Sequence, residues 1–112
     1  MSATYNLVVD QATTFNFQFQ VKTDNVIWNL TNYTATMTVR PFAGSTTTTL
    51  LATTANGKIV LDAPNGIATV TFSATDTKIA ANTYIYDFVF NSGGTITRML
   101  EGQFLVIAGV TV

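Results

Sequence analysis

The sequence predicts an all-β fold: an antiparallel, Ig-like β-sandwich forming a single domain over residues 1–112, with at most one short helical turn. Three observations point there. Thr is the commonest residue and, with Val, Ile, Phe and Tyr, gives the chain the composition of pleated rather than helical surface. Apolar and polar residues alternate with a period of two in several short runs. Gly, Pro, Asn and Asp separate these runs at the spacing of a sandwich, with a small barrel as the runner-up architecture.

Taken in order, "TYNLVVD" forms a first strand with Tyr5, Leu7 and Val9 on one side and Asn6, Val8 and Asp10 on the other. "TFNFQFQVK" has the clearest alternation, setting Phe15, Phe17, Phe19 and Val21 against Asn16, Gln18, Gln20 and Lys22. "TDN" at 23–25 is a turn, "VIWNL" a short strand, and "TN" a second turn before "YTATMTVR". There Tyr33, Ala35, Met37 and Val39 share the inward face. Pro41 and "AGS" stop that strand, and "TTTTLLAT" makes a weaker one at a sheet edge, because a Thr run buries too little to fix a register. "NG" at 56–57 precedes "KIVL", and "PNG" at 64–66 precedes "IATVTFS", which reads as a hairpin with Ala68, Val70 and Phe72 inward. "ATDTKIAAN" is the one helical candidate, a single turn capped by Ser73 or Thr75 with Ile79 beneath it.

The final hairpin, around Gly93 and Gly94, is apolar on both faces. Tyr84, Tyr86, Phe88 and Phe90 form one row and Ile85, Asp87 and Val89 the other. Across the turn, Ile96, Leu100, Phe104 and Val106 share a face if Gly102 introduces no bulge, opposite Met99, Leu105 and Ile107. The expected core is Phe15, Phe17, Phe19, Met37, Phe72, Tyr86, Phe88 and Phe104. The expected protein interface is Ile85, Val89, Met99, Leu105 and Ile107, since leaving such side chains in water forgoes about 1.5–3 kcal/mol each. The alternative cover for that face is the loop from Pro41 to Thr49.

Composition narrows the function. Charged residues are only 10% of the chain and the net charge is −1, so no field steers polyanions or anionic lipid toward it. Nucleic acid and membrane are therefore not expected partners. No Cys and no His are present, which removes thiolate and Ser-His nucleophile systems and imidazole zinc sites. The six acids form no calcium loop, the paired glycines no phosphate loop, and no cofactor is expected. Asp87 and Glu101 are the acids expected to meet, beside Arg98, where an ion cluster is favoured over a glycosidase pair. Trp28 with Tyr33 and Tyr84 offers a glycan-stacking platform only if these rings are exposed, and core burial is the expectation. The first residues resemble no secretory signal and no run is long enough to span a membrane, so the product is expected to be soluble when made.

The segments "LTNYTATMTVRP" and "AANTYIYDFVFNSGGTITRMLEGQFLV" resemble a family of small structural proteins of tailed bacteriophages, similar to the N-terminal domain of siphophage upper baseplate proteins. In that family an "F.F.F" strand precedes "LTGYT" and an "R" strand, followed by "GxYxYDL", a Gly-rich turn and "TRLLEG"; the order here is the same from about Tyr5 to Val106. Asn32 stands where the pattern favours Gly, and must take over a turn that Gly fills more easily. The long fibre-forming extension of the larger baseplate proteins has no counterpart before Val112. The resemblance implies a non-enzymatic β-sandwich assembled into a virion, as a tail or baseplate adaptor for fibres and other tail proteins. Its partners are other virion structural proteins and copies of itself. The alternatives are a capsid decoration protein and a carbohydrate-binding module for host-surface glycans.

Overall fold

The computed structural model describes residues 3–108. The strands are β1 (Ala3–Thr4), β2 (Leu7–Asp10), β3 (Phe15–Gln20), β4 (Lys22–Thr23), β5 (Val26–Ile27), β6 (Thr34–Arg40), β7 (Leu50–Thr53), β8 (Ile59–Asp62), β9 (Ile67–Phe72), β10 (Asn82–Ser92) and β11 (Thr95–Ile107). A six-stranded sheet has the order β1-β11-β10-β6-β7, with β2 also on β11, and a three-stranded sheet has the order β3-β9-β8. The two sheets pack face to face as a β-sandwich. This is the strand order of an Ig-like fold, with β3, β9 and β8 facing the layer built on β6, β10 and β11. All pairs are antiparallel except those of β1 and β2, which run parallel to β11.

The core is the set of residues that alternation turns inward. Met37, Phe72, Tyr86, Phe88 and Phe104 are buried, as the sequence predicts. Phe15, Phe17 and Phe19 face the core but remain half-buried, because β3 is the outermost strand of its sheet. Phe19 meets Phe88 edge-on at 4.9 Å, Phe15 meets Phe104 at 6.0 Å, and Phe104 meets Phe72 at 6.0 Å. Such edge-to-face pairs add about 0.5–1.5 kcal/mol to the area each ring buries. They link β3 to β10 and β11, across the gap that disulfide-bonded sandwiches bridge with cystine.

Turn chemistry follows the sequence closely. Gly93 and Gly94 both take positive φ and join β10 to β11 in a two-residue turn. Asp24 and Asn25 do the same between β4 and β5, although the strand expected from "VIWNL" shrinks to two residues. Asn32 sits at φ 67°, so it does take the left-handed position that Gly would fill more easily. Residues 63–65 form a single 3₁₀ turn between β8 and β9.

The helical candidate is one hydrogen-bonded turn after β9. Ser73 and Asp76 cap each other: the Ser73 amide donates to the Asp76 carboxylate at 2.9 Å, and the Asp76 amide donates to Ser73 Oγ at 3.2 Å. Lys58 Nζ donates to the same carboxylate and holds its pKa below the usual range. Ile79 packs against the core beneath, as expected. Thr77 is fully buried; its hydroxyl donates to the Thr13 carbonyl at 2.6 Å and accepts from the Thr13 amide at 3.0 Å. Nearby, the Tyr84 hydroxyl donates to the Ala80 carbonyl at 2.7 Å, a tyrosine corner at the start of β10.

Two substitutions test this description by urea unfolding. Phe88→Ala should cost about 3–5 kcal/mol, as expected for a fully buried ring. Thr77→Val keeps the shape but strands both Thr13 backbone groups, and should cost about 1–3 kcal/mol.

Candidate interaction surface

The outer face of the larger sheet is set by what the inner face needs. Tyr84, Tyr86, Phe88 and Phe90 point inward from β10, so Ile85, Asp87 and Val89 point outward. On β11 the register shifts between the Phe88 and Val89 pairs, Leu100 lying opposite Phe88 and Arg98 opposite Val89. Met99 is the extra residue of this bulge, and it packs against the core. Of the five residues expected at an interface, Met99 is thus the one that sits at the bulge, half-buried with part of its side chain on the core. The bulge also reassigns Ile96, expected inward with Leu100 and Phe104, to a position 68% exposed. Gly102, the position flagged for a bulge, keeps regular register opposite Tyr86. A Cβ there would collide with the Tyr5 carbonyl oxygen, so glycine is needed for close approach of the neighbouring chain.

Ile85, Val89 and Leu105 are half-buried on the outer face, and Ile107 is exposed. Val8 joins them without having been singled out, because β2 pairs with β11 and places Val8 beside Leu105. Val8, Leu105 and Ile107 form an apolar strip across β2 and β11. The other half of the face is different. Thr38, Arg40, Ile85, Asp87, Arg98 and Glu101 line an open groove of about 370 Å³, walled by Ala43, Gly44 and Ser45. The Arg40 guanidinium donates to the Ser45 carbonyl at 2.9 Å, which holds this loop at the groove's rim. The loop expected as an alternative cover flanks Ile85, and its Ala43 also borders a second depression with Asn6 and Gln103, while Val8 and Ile107 remain exposed.

The two acidic residues do pair across the strands. Asp87 and Glu101 are cross-strand neighbours, and Arg98 Nε lies 3.4 Å from Asp87. Both partners of that ion pair are largely solvated, so it contributes little stability. No group of three metal-ligating side chains occurs among the described residues. Trp28 and Tyr33 are half-buried and packed on the core, Tyr33 edge-on to Phe90 at 5.7 Å, and Tyr84 is buried. These rings form no exposed stacking platform.

Tyr86 ties the first segment to the sheet. Its hydroxyl donates to the Tyr5 carbonyl at 2.5 Å, and the Tyr5 amide donates to Glu101 at 2.9 Å. Burial, with a smaller contribution from the Tyr5 phenol, pushes the Tyr86 pKa up to about 12. Compared with known proteins, the sequence matches no family model, and no curated protein matches it.

A phenol with a higher pKa folded than unfolded adds stability that is complete below about pH 10, its unfolded value, and vanishes as pH rises through about 12. Unfolding free energy measured against pH should therefore fall across that window. In Tyr86→Phe the fall should be shallower, from a starting stability about 1 kcal/mol lower.

Proposed function

We propose that this chain is a non-enzymatic structural protein of a tailed-bacteriophage virion, serving as a tail or baseplate adaptor that holds fibres or other tail proteins. The observation that carries this reading is the uncovered apolar strip of Val8, Leu105 and Ile107, on a domain whose surface has few charges. An adaptor works by contact area, and apolar strand surface left in water by one chain is what a neighbouring chain shelters. The order of the phage-like segments supports the virion setting, since they cover β6, β10 and β11, the central strands of the sheet at whose β11–β2 side the strip lies.

Two measurements test the proposal. In purified particles the chain should be present in a few copies per tail, located by labelling at the tail or baseplate; abundance near that of the major capsid protein would replace the adaptor by a decoration role. Ile107→Lys should leave unfolding stability within about 0.5 kcal/mol, because the side chain is exposed, while reducing incorporation into particles. Normal incorporation of that variant counts against the strip as the contact.

A further inference from the structure

We propose that the free edge of β3 accepts an extended strand from a partner protein, one that alternates apolar with polar residues and carries no charge where it lies against β3. This deepens the assembly reading and rests on it for the partner's origin; its test, on the isolated chain, can fail while a virion location stands. The edge is defined by hydrogen bonding. Among the described residues β3 pairs with β9 alone. The Val21 amide donates to the Gly66 carbonyl at 2.8 Å, and the register then directs the backbone groups of Phe15, Phe17 and Phe19 toward β9. Those of Asn16, Gln18 and Gln20 point the other way. Their side chains do not cap the edge: Asn16 accepts from the Thr71 hydroxyl at 2.9 Å, and Gln20 Nε2 donates to the Asn65 carbonyl at 2.9 Å.

In Ig-like sandwiches of the commonest arrangement a first strand lies beside the strand equivalent to β3. Here β1 and β2 both pair with β11 instead, so that place is unfilled among the described residues. Proteins blunt exposed edges with charges, proline or bulges, and "FNFQFQ" has none of these. The edge is also flanked by two depressions. An apolar notch of about 250 Å³ lies on the inner side, lined by Thr4, Tyr5, Phe17, Gln18, Phe19 and Leu100, with Tyr5 stacked on Phe17 at 5.6 Å. A second, of about 280 Å³, lies between Gln18, Phe19, Gln20 and Ile67. An added strand would send alternate side chains to these two sides, an apolar one into the notch. No charged residue lines either depression, which sets the occupant's neutrality.

Size chooses between a strand and a second globular copy. β3 and the notch together offer fewer than ten residues, against the roughly 20–30 per side of a stable globular interface. An extended segment places every one of its residues on the site and needs no more.

The test appends a Val-Thr-Val-Thr-Val-Thr strand ahead of Met1 through a short Gly-Ser linker, so that it reaches β3 at high effective concentration. Amide exchange at Gln18 and Gln20 should slow about tenfold or more relative to the parent chain, and the melting temperature should rise. Gln18→Pro, tolerated on an edge strand, should erase both effects in the extended chain while the parent with the same substitution stays folded. Unchanged exchange in the extended chain overturns the proposal. So does a Gln18 amide already protected in the monomeric parent. Protection that appears in the parent only with concentration-dependent dimerisation overturns it in favour of a second copy.

Discussion

The edge-on contact of Phe19 with Phe88 is the constraint from which the rest of the molecule follows. With no cysteine in the chain, nothing covalent can clamp the two sheets, and their separation is set by rings packed between them. Phe88 lies at the centre of the larger sheet, on β10, and Phe19 on the outermost strand of the smaller one. Around that pair the aromatic contacts continue from Phe88 to Phe90 and Tyr33, and from Phe19 to Phe17 and Tyr5. Each ring therefore depends on a neighbour in the other sheet or on the same row. Loss of the central pair removes area and geometry together.

Fixing those rings inward decides what faces water. Strand alternation has a period of two, so a row of four aromatic residues on β10 commits Ile85, Asp87 and Val89 to the outside. On β11 the same rule would have sent Met99 out and Ile96 in; the bulge turns Ile96 out and leaves Met99 half-buried against the core. One extra residue thus sets a flexible thioether half-buried against the core and an isoleucine in solvent. The polar groups at the far end are spent on fixing connections: Thr77 holds the β2–β3 turn, and Tyr84 and Tyr86 hold the chain before β10 and before β2. Those hydroxyls are committed to structure.

What remains at the surface is contact area. The strip of Val8, Leu105 and Ile107 and the edge of β3 lie on different sheets, so the two proposed contacts would not compete for the same strand. The ionic groove around Arg40, Asp87, Arg98 and Glu101 is solvated and self-neutralising, and sets this part of the face apart from the apolar strip.

The sequence by itself determined the all-β class, the inward rows of β3, β6, β9 and β10, and the turns at Asp24–Asn25, Asn32 and Gly93–Gly94. These are local properties: alternation and backbone handedness depend on a residue and its immediate neighbours. It also brought Asp87, Arg98 and Glu101 together, since one tight turn fixes their register to within a residue. Tertiary structure decided the rest. The bulge at Met99 answers to packing against the opposite sheet, and no periodicity in "TRMLEG" announces it. Val8 enters the apolar strip only because β2 runs parallel to β11, a pairing between residues almost a hundred positions apart. The half-burial of Phe15, Phe17 and Phe19 has the same origin, because a strand's pattern records which face is apolar but not whether a neighbour lies alongside it.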